Sequence, residues 1–265
     1  MTLAVLPMYD WPEVREATDD LWRAIAGRLS AAGLDAPVTL DRSIDREVAW
    51  HHADLLVGQT CGLPFVSGVD RSATVLGTFD YDHAADSCGP GDYCSVIVAR
   101  PGTGESLEDH RGGVAAYNGR DSQSGHAALA VTVAPLARDG AFFSRTVETG
   151  THRASVVAVG SGDADVAAID AVSWQLALDH EPVARDLVVI GTTPCSPGLP
   201  LITNKARIGD VGAMNTAIEA SLDDVDSSSL AALHIGGYLP RRNEEYDVLT
   251  ERLEQAAALG YPALD

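Results

Sequence analysis

The stretch LAVLPMYDWPEV, Leu3 to Val14, sets the reading of the whole chain. Leu3 to Leu6 is a short apolar run stopped by Pro7, the length of a buried strand. Asp10 stands three residues before Glu13, a capping-box spacing, and Pro12 suits the first turn of a helix. Val14, Ala17, Leu21, Ile25 and Leu29 then fall on one helical face, and Gly33 ends the pattern. Working outward, APVTL supplies a second strand, Val38 to Leu40, and a helix passes through Val48 and Trp50. Leu55-Leu56-Val57 is a third strand that ends in the small-residue turn Gln59-Thr60-Cys61. The order β-α-β-α-β predicts an α/β fold built on mostly parallel sheet flanked by helices.

The same alternation returns further on. TVLGTFDY and DYCSVIVAR read as strands, and PGTGESLEDHRGG as a crossover rich in Gly, Pro and charge. Gly113 to Tyr117 is a strand, Ser122 to about Ala134 a helix, and RASVVAVGSG a short helix that ends at glycines. ADVAAID is a strand entering the helix AVSWQLAL, and DLVVIGTT is a further strand. PCSPGLPLIT is too proline-rich for a helix. The tail, Asp210 to Leu264, reads as mostly helical with breaks near Gly236-Gly237 and Pro240. One β-α block thus interrupts another. The expected division is a first lobe from 1 to 97, an inserted lobe from 98 to 190, and a return to the first lobe with C-terminal helices from 191 to 265. Two lobes joined by two crossover strands, near Val96 to Pro101 and Val189 to Pro194, would hinge around a cleft. Ligands in such sheets collect beyond the carboxyl ends of strands.

Composition narrows the choice of ligand and partner. Hydrophobic residues make up 46% of the 265, enough for a real core. The formal net charge of −20 repels nucleic acid and anionic membrane, so neither is expected as a partner. It also disfavours a small anion, so an anion site here has to rely on local dipoles. No run approaches the roughly 20 apolar residues of a membrane span, and direct membrane insertion is not expected. The first residues lack the basic start of a secretory signal, which leaves the cytoplasm open as a location. Cys61, Cys88, Cys94 and Cys195 are too scattered for a zinc pattern. Cys88 and Cys94 flank a Gly-Pro-Gly turn, so a local disulfide between them is one reading and free thiols the other. No metal or cofactor is expected.

The chemistry concentrates in AYNGRDSQSGH, Ala116 to His126, where hydroxyls and little bulk stand before Ala127-Ala128-Leu129-Ala130. A helix start leaves about four N–H groups unpaired and carries partial positive charge. Ser122 and Ser124 add hydroxyl donors, and Gly125 lets an oxyanion approach the backbone. A plain N-cap with spare polar residues explains the same letters. The Lys of a phosphate-binding P-loop is missing. His152 precedes another short helix, either as a loop histidine or as an N–H donor to an anion. Asp170 ends a strand, either as a helix cap or as a carboxylate for a ligand amine. Tyr9, Tyr81 and Tyr93 are strand-end aromatics that pack or wall a pocket. No G-x-S-x-G or H-E-x-x-H pattern is present, and spacing alone gives no support to a triad of Ser122, His152 and Asp170.

Taken in order, AYNGRDSQSG, GTHRASVVAVGSGDADVAAIDAVSW and TTPCSPGLPLIT resemble the substrate-binding component of phosphate and phosphonate ABC transporters. The resemblance covers most of the chain and is clearest from about 93 to 203. It implies a two-lobed type 2 periplasmic binding protein fold and a non-enzymatic protein that closes on a small anionic or zwitterionic ligand. It also implies an ABC permease as partner and a periplasmic location. The family's anion-contacting cluster maps onto Ser122, Gln123 and Ser124, its histidine onto His152 and its acid onto Asp170, with Asn118 and Gly125 beside the cluster as further candidate contacts read from the strand end and the turn. Its aromatic and polar loop contacts from the first lobe map onto Tyr9, Gln59, Thr60 and Tyr93. Gln123 departs from the pattern, since a hydroxyl residue is common there, and this leaves the ligand's identity open. Some enzymes of menaquinone biosynthesis share the fold and work in the cytoplasm. A lyase or dehydratase of a small carboxylate is therefore the alternative reading.

Overall fold

A computed structural model describes residues 2–82 and 88–264. The chain divides into two compact units, Met1–Asp82 with Pro197–Tyr246 and His83–Ser196 with Asp247–Asp265. In chain order the elements begin with Leu3–Val5 (β1), Arg15–Ala31 (α1), Arg46–Trp50 (α2), Leu55–Gln59 (β2), Gly62–Ser67 (α3) and Ala73–Tyr81 (β3). Next come Asp92–Tyr93 (β4), Ser95–Ala99 (β5), Val114–Tyr117 (β6), Ala128–Val133 (α4), Arg145–Glu148 (β7), His152–Ser161 (α5), Val166–Asp170 (β8) and Ala171–His180 (α6). The last are Val188–Thr192 (β9), Ser196–Pro197 (β10), Leu201–Asn204 (β11), Val211–Ser221 (α7), Ser227–Ala232 (α8), Ile235–Pro240 (β12) and Asp247–Ala258 (α9).

In the first unit the sheet order is β1-β2-β11-β3-β12. The helix α1 buries Ala17, Leu21, Trp22, Ile25 and Leu29, the face its periodicity predicts, and Gly33 follows it at φ 85°. Its start differs from expectation. Asp10 caps nothing there, because Arg42 takes both its carboxylate oxygens, at 2.6 and 3.1 Å. A short 3-10 turn, Pro12–Val14, leads into α1 instead. Val38 to Leu40 forms no strand. Val38 is 87% exposed, the Pro37 carbonyl is occupied by the Trp22 indole, and Asp41 N–H, past the segment, bonds the Ala4 carbonyl of β1. The Gly236-Gly237 break in the tail is part of a strand, β12, laddered antiparallel to β3. Gly77 in β3 has to be a glycine, since a Cβ there would meet the Leu239 carbonyl at 2.3 Å.

The second unit has the order β7-β6-β8-β5-β9. β6 runs parallel to β7 and β8, while β5 is antiparallel to β8 and β9. In the first unit β1 and β2 are parallel, but β11 and β12 are antiparallel to their neighbours. Both sheets are therefore mixed rather than mostly parallel, because returning segments insert among the β-α-β strands. The same pairing moves the expected boundaries. Val96 to Ala99 and Val188 to Thr192, expected in the crossovers, are laddered to each other inside the second unit. The last helix also belongs there: Ala256, Tyr261 and Leu264 join a core with Leu129, Val133 and Phe142. Residues 247–258 thus do not return to the first unit with 197–246. No helix among the described residues is long and apolar enough to cross a membrane.

The disulfide joins Cys88 to Cys195, 107 residues apart, and not Cys88 to Cys94. Cys94 is buried next to β5 and keeps a free thiol, as does buried Cys61. Burial, and then the charge of Asp170, push the Cys94 thiol pKa up, so it stays protonated. A cross-link closing so long a loop restricts the unfolded chain strongly. Replacing Cys88 and Cys195 together by Ser should lower the unfolding free energy by about 2–5 kcal/mol in urea titrations. A loss below about 0.5 kcal/mol would mean that the bond contributes little to the native state.

Candidate functional site

The expected residues fall into two groups, each described within its own unit. In the second unit β6 ends at Tyr117, and Asn118 follows it into a loop that enters a π turn, Gln123–Ala127, before α4 begins. The expected helix over 122–134 is thus only partly α. Ala127 N–H bonds the Ser122 carbonyl at 3.0 Å and Ala128 N–H bonds that of Gln123, both spanning five residues. Such wide turns leave more N–H groups without a carbonyl inside the helix, and they recur at functional sites. Ser122 caps the turn, its hydroxyl accepting from Gly125 N–H at 3.0 Å.

The Ser124 hydroxyl lies 2.8 Å from His152 Nε2 and 3.4 Å from the Ser122 hydroxyl. His152 opens α5, which Thr151 caps through Ala154 N–H. His152 as a residue keeps some exposure, but its Nδ1 is sealed and has no hydrogen-bond partner. Burial pushes its pKa down to about 3, so the ring is neutral at neutral pH. A neutral ring carries one proton. With that proton on Nε2, the imidazole donates to Ser124 and leaves the serine hydroxyl free to donate elsewhere.

Gly125 makes this crowding feasible. A Cβ at position 125 would lie 2.0 Å from Asn118 Oδ1 and 3.1 Å from His152 Cε1. The bare Gly125 Cα is the floor on which the Asn118 amide and the His152 ring converge. Asn118 Oδ1 is itself sealed without a hydrogen-bond partner. Ser95, at the start of β5, donates its hydroxyl to the Ser124 carbonyl at 2.9 Å. Sequence reading missed Ser95, whose signal is slight: a lone hydroxyl opening the apolar run SVIVA.

Asp170 sits beside this group through the β5–β8 pairing of Ser95 with Asp170. It takes the cap role: its Oδ1 accepts from Val172 and Ser173 N–H at 2.9 and 3.0 Å. Ser122, His152 and Asp170 thus form no triad, since His152 pairs with Ser124 and Asp170 is turned to α6. Tyr93, expected among the contacts of the first lobe, is buried in β4 of the second unit. The arginines adjoining the turn and His152 in sequence face carboxylates, Arg120 with Glu148 at 4.0 Å and Arg153 with Glu181 at 2.9 Å. The start of the turn carries the partial positive charge of its N–H dipoles.

In the first unit Tyr9 meets Tyr81 edge to face at 5.2 Å, and Gln59 Nε2 donates to the Tyr81 hydroxyl at 3.0 Å. Tyr9, Gln59, Phe79 and Tyr81 line a small cavity of about 20 Å³. Thr60 is fully buried, its N–H bonded to the Pro200 carbonyl at 3.1 Å. Among the described residues no group of three His, Cys, Asp or Glu side chains is gathered for a metal ion.

The model of the phosphonate ABC-transporter family of periplasmic substrate-binding proteins matches residues 4–246. The chain belongs to that family. Its fold is the two-lobed type 2 periplasmic binding protein fold. PhnD1 from Prochlorococcus marinus, solved with methylphosphonate, is 16% identical with a TM-score of 0.72, over 97% of this chain and 98% of that one. A binding-protein component of an ABC phosphonate transporter from Pseudomonas aeruginosa is 17% identical with a TM-score of 0.68, over 98% and 88%. The periplasmic aliphatic sulphonate-binding protein SsuA from Escherichia coli is 14% identical with a TM-score of 0.60, over 97% and 91%. No curated protein matches the chain in sequence. The family is one of substrate-binding proteins rather than enzymes.

Two outcomes follow from this geometry. Gly125→Ala should force Asn118 and His152 apart and cost about 1–3 kcal/mol of stability, read by urea unfolding. An unchanged midpoint would show that the space at Gly125 is not needed. The second concerns acid. His152 has a folded pKa near 3, below its unfolded value of about 6.5, so between these values the unfolded chain binds the extra proton. Its contribution to stability is present above about pH 6.5 and is lost as pH falls toward 3, by up to about 1.4 kcal/mol per pH unit. Subtracting the profile of His152→Gln from that of the wild type should expose this slope, and parallel profiles would mean an unperturbed histidine.

Proposed function

We propose that the turn from Ser122 to Gly125 holds the oxyanion of a small ligand, a phosphonate, a phosphate ester or a close relative, for delivery to an ABC permease. The observation that carries this is the part-buried pair Ser124 Oγ–His152 Nε2 at 2.8 Å, set on a π turn at a helix start. Donors assembled in place before the ligand arrives cost little reorganisation, and charge-assisted bonds are the strong ones. Each contributes about 1.5–3 kcal/mol, so two or three support micromolar binding after the cost of association. Neutral His152 serves as a donor that orients Ser124, and Asn118 borders the same anion. Asp170, with Tyr93, would read the remainder of the ligand from this unit. A carboxylate at Asp170 favours a ligand that carries an ammonium group as well as the oxyanion.

A periplasmic location accords with the Cys88–Cys195 disulfide, since such bonds persist in oxidising compartments. The enzyme alternative draws no support from the site. A histidine held neutral down to about pH 3, with no carboxylate on its Nδ1, is a weak base for activating a serine.

Ser124→Ala is the clean test. Ser122 caps the turn, so its removal would mix stability with binding, whereas the Ser124 hydroxyl faces His152. Calorimetric titration with methylphosphonate, inorganic phosphate and methanesulfonate should show binding of at least one probe by the wild type. For Ser124→Ala the loss should be tenfold or more, with a melting point within a few degrees of wild type. Equal binding by both would sink the proposal.

A further inference from the structure

We propose that Ser95 is a positioning residue that holds the oxyanion turn in its wide, π-paired register; this rests on the reading above that the turn binds the ligand. Two donors compete for the Ser124 carbonyl. In an α turn the Ala128 N–H would bond the Ser124 carbonyl, four residues back. Here it bonds the Gln123 carbonyl instead, and the Ala127 N–H likewise reaches back five residues to Ser122. The Ser124 carbonyl is taken by the Ser95 hydroxyl at 2.9 Å, in a site where Ser95 is 1% exposed. A side chain inserted into the helical ladder is one of the recognised causes of a local change of pitch.

Ser95 is itself on rigid ground. It is paired with Asp170 across the β5–β8 ladder. Its N–H donates to the Thr193 hydroxyl at 2.9 Å, and its carbonyl accepts from Thr193 N–H at 2.9 Å. Two residues beyond Thr193, Cys195 is bonded covalently to Cys88, and its carbonyl accepts from the Arg252 guanidinium at 2.7 Å. The hydroxyl that occupies the Ser124 carbonyl is therefore held by a strand, a disulfide and the C-terminal helix at once. Remove that hydroxyl, and the buried carbonyl loses its donor; Ala128 N–H is the donor an α turn would bring to it. The turn then tightens by one residue, and Ser124 leaves the position from which its hydroxyl meets His152. Ser95 touches the turn's backbone only and acts on the ligand through Ser124.

The experiment compares wild type, Ser95→Ala and Ser221→Ala at a temperature where all three are folded. Ser221 is a buried serine of the other unit whose hydroxyl donates to the Ile218 carbonyl, so it controls for the loss of any buried hydroxyl. Methylphosphonate is titrated into each, and a crystal structure of ligand-free Ser95→Ala reports the register. The inference expects at least a tenfold weaker affinity for Ser95→Ala, unchanged affinity for Ser221→Ala, and an Ala128-to-Ser124 bond in the variant crystal. Affinity within twofold of wild type, or a retained Ala128-to-Gln123 bond, overturns it. If the wild type binds no probe, the oxyanion reading fails instead, and the register alone decides the role of Ser95.

Discussion

The site turns on a contact that only a missing side chain permits. Over the bare Cα of Gly125, the Asn118 amide and the His152 ring approach so closely that a methyl group at 125 would sit 2.0 Å from one and 3.1 Å from the other. That closeness puts His152 Nε2 within 2.8 Å of the Ser124 hydroxyl and seals the histidine's other nitrogen from water. Sealing depresses the histidine pKa, and a neutral histidine can orient a serine without bringing a buried charge that would need a partner of its own.

This arrangement answers a difficulty posed by the charge of the molecule. A chain with a net charge of −20 repels an anion at long range. The arginines that flank the turn and His152 in sequence are committed to Glu148 and Glu181. On the proposed reading, attraction is short-ranged, directional and built from backbone N–H groups and hydroxyls, the conditions met by a helix start. Fixed dipoles of this kind discriminate by geometry, since an oxyanion gains only where several donors converge on it. Two further hydroxyls hold those donors in place: Ser122 by capping the turn and Ser95 by occupying the Ser124 carbonyl.

What sequence made legible is local. The face of α1, the strand ending at Asp170 and that residue's cap all follow from spacing within a few residues. The mouth at Ser122 to Gly125 was visible because hydroxyls and a glycine before a helix former are an N-terminal signature. What stayed hidden depends on partners far along the chain. The π register is tied to Ser95, 29 residues before the carbonyl it binds. The strand β12 reads as a break because its Gly236-Gly237 pair is unfavourable to any element, and only pairing with β3 makes it a strand. The disulfide partner of Cys88 lies 107 residues away, while the nearby Cys94 is buried beside β5. Asp10 looked like a cap because spacing cannot show that Arg42 would claim its carboxylate.

The most direct measurement is the backbone amide spectrum of the isotope-labelled protein with and without saturating methylphosphonate. If an oxyanion rests on the turn, the largest downfield proton shifts will fall on the amides of Gln123, Ser124 and His126, because N–H groups that gain an anionic acceptor are deshielded most, whereas Gly125 N–H already donates to Ser122. Should those amides stay in place while the largest changes appear at another surface, such as the arginine-rimmed pocket around Arg15, Arg42 and Arg46 in the first unit, the ligand is held by side-chain charge and the dipole account is wrong.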